Sequence, residues 1–242
     1  MKTLFGISLA LFLLTSSCYG DLIHYYSFTL DASDSVGGAN GTLLNGASVS
    51  GGTLNLDGLD DFVQFGSKIV PTSGSYSVAM FAQQTASLTA TRELISQGLS
   101  SGPGFFLGHS GSGIIRASDS WTNTGVLFPS DGNFHHYALT VDSVAGNSKL
   151  YVDGSLRATL GVAITTTTLG TNTRLGSQFA GTLPEFFGGK LDEVRIYNRA
   201  LSDAEVASIA AVPEPSGLVL CVTGLAYLLR RTRSKKQAVV EQ

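Results

Sequence analysis

The chain has 242 residues, with 15 Lys and Arg against 18 Asp and Glu, a formal charge of −3 and only 14% charged residues. That balance contains no basic stripe able to neutralise phosphates, which argues against a nucleic-acid partner. The two cysteines, Cys18 and Cys221, fall in apolar segments near the two ends, so the body between them must be held by its core and not by disulfides.

Residues 1–20 read as a secretory signal peptide: Met1-Lys2, an apolar run over 4–14, a polar stretch over 15–17, then Cys18-Tyr19-Gly20. Small residues then stand first and third before a cut after Gly20. Lipid attachment at Cys18 is the alternative, although Thr15 stands where such sites usually have Leu. Residues 21–211 follow as one domain's length of chain.

Short runs rich in β-branched and aromatic residues predict strands over 23–28, 53–57, 62–65, 76–81, 93–96, 104–108, 114–117, 134–141, 149–152 and 190–197. Gly, Asn, Asp or Ser punctuates nearly every gap, as an all-β sandwich or jelly roll of two antiparallel sheets requires. Asp153-Gly154 predicts a two-residue hairpin, because both residues tolerate the positive φ of a type I′ turn. One short helix is expected from Ser202 to about Ala210, opened by the capping box Ser202-Asp203-Ala204-Glu205. It must end before Pro213.

The tail combines Pro213-Glu214-Pro215, an apolar helix over 217–229 and a basic cluster over 230–236, with 237–242 beyond it. The apolar run would be roughly 20 Å long as a helix, short for a hydrocarbon core of about 30 Å. This order of features resembles the PEP-CTERM sorting signal of Gram-negative bacteria that make exopolysaccharide. The resemblance implies an exosortase-type protease as partner, passage through the membrane by the tail helix, and display at the cell surface or in the extracellular matrix. A single-span tail anchor is the other reading.

Within the domain, His24-Tyr25-Tyr26-Ser27-Phe28, the run from Asp34 to Leu43 and the run from Leu54 to Val63 resemble the opening blocks of the laminin-G-like family of the concanavalin A-like lectin/glucanase superfamily. Phe134-His135-His136-Tyr137-Ala138-Leu139-Thr140, Leu150-Tyr151-Val152-Asp153-Gly154 and the stretch from Gly189 to Ser202 are similar to its later blocks, in order. The resemblance spans 24 to about 210 and implies a jelly-roll sandwich. The chain departs from it in having Phe81 and Phe134 where the family often has Trp, which suits a core role better than sugar stacking.

Concanavalin A-like glucanases place carboxylates at alternate positions of one strand, so that they share a face. No such array exists here: Asp60-Asp61 and Asp192-Glu193 are adjacent, and Glu93, Glu185 and Glu205 are isolated. The expectation is therefore a non-enzymatic module with no catalytic residue. His135-His136 on one strand point to opposite faces and cannot chelate one ion together.

A structural Ca²⁺ is implied by related jelly rolls, with Asp34 and Asp192 as ligands and Asp57 as a further possible member. The competing reading is that these aspartates cap turns. For a ligand, Trp121, the sole Trp, lies with Asp119 and Asn123 in a polar loop, where its ring could stack on a sugar while polar groups take hydroxyls. Arg116 and His109 would support that contact; alternatively, Trp121 plugs the end of the sandwich. The expected function is a secreted, surface-sorted module binding extracellular glycan or protein. A matrix component without a discrete ligand and a divergent glycan hydrolase are the alternatives.

Overall fold

The computed structural model describes residues 21–98, 104–117, 123–164, 166, 172–178 and 185–211. The expected signal peptide, the Pro213-Glu214-Pro215 motif and the tail helix lie outside the described residues. Among the described residues, no helix is long and apolar enough to cross a membrane.

The strands in chain order are β1 (Leu22–Tyr26), β2 (Gly41–Leu44), β3 (Ser48–Ser50), β4 (Thr53–Asp57), β5 (Phe62–Phe65), β6 (Tyr76–Gln84), β7 (Arg92–Gly98) and β8 (Gly104–His109). They continue with β9 (Ile114–Ala117), β10 (Asn123–Leu127), β11 (His135–Asp142), β12 (Asn147–Val152), β13 (Ser155–Leu160), β14 (Thr173–Leu175) and β15 (Gly188–Tyr197), before the one described helix, α1 (Asp203–Ala210). They form the expected sandwich of two antiparallel sheets. The first sheet runs β13-β12-β11-β6-β15-β4-β3, and β1 pairs with the second half of β15. The second runs β10-β9-β8-β7-β14-β5-β2.

Alternation along each strand builds the core. In β6, Tyr76, Val78, Met80 and Ala82 face inward and meet Phe105, Leu107 and Ile115 of the second sheet in one buried cluster. The opposite face of β6 is also covered. Ala79 and Ala138 stand opposite each other in adjacent strands, and their small side chains leave room for Leu201 and for Val206 of α1. A strand buried on both sides reads as a near-continuous apolar run, as β6 does.

Two local expectations hold in detail. Asp153 and Gly154 have φ of 50° and 71°, so the β12–β13 turn is left-handed at both positions. Ser202 accepts from the Glu205 N–H, and the Glu205 side chain returns to the Ser202 N–H, completing the capping box. Four strands went unrecognised in the sequence. β2, β3 and β10 are edge strands containing Gly or Ser, and β14 is three residues long and exists through pairing with β5 and β7 on either side.

Candidate functional site

The side chains with the strongest chemistry lie on the outer face of the second sheet. In β8, Phe105, Leu107 and His109 point into the core, so Phe106 and Gly108 point out. Gly108 is in register with Glu93 of β7 on one side and with Arg116 of β9 on the other. Since glycine has no side chain, the Arg116 guanidinium crosses β8 and bonds Glu93 directly, passing over the Phe106 ring at 5.4 Å. The same guanidinium nitrogen donates to Glu185 Oε2 at 2.5 Å.

Glu185 reaches this face from the segment preceding β15. Its carbonyl accepts from the Glu93 N–H at 3.0 Å, where a β-bulge interrupts the β7–β8 ladder. Arg92 donates to the Phe186 carbonyl, and Phe186 lies 6.3 Å from the Phe62 ring, on which Arg174 stacks at 4.3 Å. Glu93 is 0% exposed and Arg116 1%. Burial pushes the Glu93 carboxyl well above the usual range; Arg116 opposes this, and nearby Glu185 adds to it.

Two glutamates therefore meet although they are 92 positions apart in sequence, and this is the carboxylate pair that spacing concealed. A retaining glycosidase separates its carboxyl groups by about 5–5.5 Å, with the sugar between them. Here Arg116 occupies that place, held by both acids.

The residues singled out from sequence are distributed differently from the expectation. Asp119 and Trp121 lie outside the described residues. Asn123 is exposed at the start of β10. Arg116 and His109 must be corrected as ligand contacts, because both are turned away from solvent. Arg116 serves the glutamate clamp, while the His109 ring packs on Phe128 at 4.9 Å and bonds the Ser110 carbonyl through Nδ1 at 2.9 Å.

Asp34 and Asp192 are both buried. Asp34 Oδ1 accepts from the N–H groups of Tyr25, Val36 and Gly37, each at 3.0 Å, and Oδ2 takes the Ala39 N–H at 3.0 Å and the His24 ring at 2.6 Å. Burial works against its charge, yet donation from Tyr25, His24, Gly37 and Val36 prevails and holds the carboxyl at about 2. This is the turn-capping arrangement, with both oxygens engaged. Asp192 Oδ1 accepts from the Glu193 N–H at 2.8 Å beside the bulge in β15, where Glu193 has φ of 52°. His135 and His136 separate as alternation requires: His135 bridges Asp131 and Asp153, and His136 is buried against Phe81 with ring centroids 5.0 Å apart.

Residues 57–207 match the family model of the concanavalin A-like lectin/glucanases superfamily. Among solved structures, the chain is similar to domain 4 of AbnA, an extracellular arabinanase from Geobacillus stearothermophilus, in complex with arabinotriose. The identity is 23% and the TM-score 0.61, covering 78% of this chain and 98% of that one. It is also similar to Trypanosoma rangeli sialidase in complex with sialic acid, at 16% identity and TM-score 0.60, covering 79% of this chain and 33% of the sialidase. The binding domain of Paraclostridial Mosquitocidal Protein 1 follows at 13% identity and TM-score 0.59, with 79% and 52% covered. At these identities the likeness is one of fold. No curated protein sequence matches the chain.

Proposed function

The chain belongs to the concanavalin A-like lectin/glucanases superfamily, and from that premise we propose that it is a non-catalytic jelly-roll module that binds glycan outside the cell. The observation that carries this reading is the clamp of Glu93 and Glu185 on Arg116. The face that offers a carboxylate pair has spent both members on an internal cation, and Glu93 has no exposed surface from which to protonate a glycosidic oxygen.

The proposed ligand contacts are Asp119, Trp121 and Asn123, the last of which opens β10. Asn123 supports this by being exposed next to the clamp, in register with Arg116. The arabinotriose in the similar arabinanase domain makes a glycan the first class of ligand to test. Export through residues 1–20 and sorting through Pro213-Glu214-Pro215 by an exosortase-type protease, with the tail helix in the membrane before processing, complete the proposal.

The test is a glycan array probed with the full chain, followed by affinity and product analysis on any hit. Binding without release of shorter sugars, weakened by Trp121→Ala at an unchanged melting temperature, supports the module. Sugar release that disappears in Glu185→Gln makes the protein a hydrolase. An array without any hit leaves the role of a matrix component without a discrete ligand.

A further inference from the structure

Two segments that face one crevice are each fixed by a buried polar side chain. The first is β1, which carries Ile23 and His24. The buried Asp34 accepts N–H groups from Tyr25, Val36, Gly37 and Ala39, so its carboxylate is an acceptor throughout, and the His24 ring donates to it through Nδ1 at 2.6 Å. Gly37 permits this approach, since a Cβ there would lie 2.5 Å from Nδ1. The second is the stretch that follows β5. Gln97, which is fully buried, accepts from the N–H groups of Ile69 and Val70 at 3.1 and 3.0 Å and donates to the Val70 carbonyl at 2.8 Å. Thr173 Oγ1 also accepts from the Ile69 N–H, at 3.0 Å.

The crevice has a volume of about 640 Å³ and is lined by His24, Lys68, Thr72 and Ser73, with Ile23 and Val70 among its apolar contacts. Small-molecule sites fall in the range of about 300–1,000 Å³ and combine apolar walls with a few placed polar groups. Among the described residues that line it there is no Asp or Glu, although the chain as a whole has a net charge of −3, and the charged member is Lys68. His24 keeps 15% of its side chain exposed. With Nδ1 donating to Asp34, the neutral ring holds its lone pair on Nε2, and among the described residues no hydrogen bond reaches that nitrogen. His135 differs, because both of its ring nitrogens are engaged by aspartates.

We infer that this crevice binds a carboxylated sugar, a hexuronate unit of a glycan, with Lys68 taking the carboxylate and His24 Nε2 accepting from a hydroxyl. Thr72 and Ser73 complete the polar contacts, and Ile23 and Val70 meet the C–H face of the ring. This rests on the reading of the chain as a glycan-binding module and adds a second set of contacts that shares no residue with Asp119, Trp121 and Asn123. The fixed tautomer sorts the groups of the sugar: a bare lone pair takes a hydroxyl and repels a carboxylate, which leaves the acid to the ammonium. Both segments are already held by buried hydrogen bonds, so little ordering is needed when the sugar enters.

The test is calorimetric titration of the full chain with tri-galacturonate, using galactotriose and acetate as controls and recording the melting temperature of every variant. Tri-galacturonate should bind more tightly than galactotriose, and added salt should weaken it. Lys68→Gln should weaken tri-galacturonate by about tenfold or more and leave galactotriose unchanged. His24→Asn retains an N–H for Asp34 and removes Nε2, so it should weaken both sugars; if that variant fails to fold, Lys68→Gln decides alone. Trp121→Ala should leave tri-galacturonate binding intact. Loss of binding in Trp121→Ala with no effect of Lys68→Gln would overturn the crevice and keep the ligand at Trp121. Absence of tri-galacturonate binding would overturn it as well, as would equal affinity for galactotriose or for acetate, whatever a glycan array reports for other sugars.

Discussion

Arg116 reaches Glu93 across the width of a strand because the residue in register between them, Gly108, has no side chain. The glycine, the arginine and the two glutamates form one unit, so changing any member has a foreseeable effect on the rest.

Arg116→Ala leaves Glu93 buried beside Glu185 with no counter-charge. Breaking a buried pair from one side costs about 3–5 kcal/mol, to be read from urea unfolding at neutral pH. Glu93→Gln should cost less, since burial already disfavours the charged form of Glu93. Equal losses for the two variants would show that the clamp's charge is immaterial to stability.

Gly108→Ala tests the crossing itself. The new Cβ would lie 2.1 Å from the Arg92 carbonyl oxygen and 2.5 Å from Glu93 Oε2, so β7 must move. A loss of about 1–3 kcal/mol is expected in the same unfolding measurement. A neutral substitution would mean that β7 and β8 are more loosely joined than their register implies.

The contribution of His136 to stability should fall as the pH drops from about 6.5 toward 4. Burial holds the His136 ring at about 4, helped by the positive charge of Arg195, so in this interval the unfolded chain takes up a proton that the folded one refuses. The loss amounts to on the order of 3 kcal/mol at the acid end. Asp34 contributes separately and at lower pH. Its folded pKa of about 2 lies below the ordinary aspartate value of 3.8, so its stabilisation is present above 3.8 and is lost as the pH falls toward 2. His136→Phe should flatten the upper interval and leave the lower one unchanged, measured as unfolding free energy against pH.

For the tail, mass spectrometry of protein extracted from the cell surface should find chains lacking Cys221 and the basic cluster over 230–236. Recovery of the C-terminus intact through Gln242 as the main surface species would instead indicate an uncleaved anchor.

Local chemistry was legible in the sequence. The Asp153-Gly154 turn, the capping box at Ser202 and the strand over 76–81 each rest on residues a few positions apart, so spacing alone reports them. The glutamate clamp was not legible, because its arginine lies 23 residues from one acid and 69 from the other, and only strand register brings them together. For Asp34 two readings stay open from the sequence, calcium ligand or turn cap, since composition shows an acid in a glycine-rich loop and not the five N–H and ring donors that converge on it. Asp61 illustrates the same limit: adjacent to Asp60, it gave no sign that one of its oxygens would be enclosed.

The placement of α1 decides how the domain would bear a pull from its tail. Ala211, the last described residue, directly follows a helix that packs on the first sheet, so a pull applied beyond it would load α1 before it reaches any strand. The fastenings under load are Asp203 to Lys149 and Tyr151, at 2.9 and 2.8 Å, and Glu205 to Arg199, with Val206 as the buried plug. Arg199 also grips Asp21 at 2.6 Å, which ties the first described residue to the same corner. Force would thus be shed at a peripheral helix and its few polar anchors, while the sandwich itself, closed by ladders that run across both sheets, would remain unsheared.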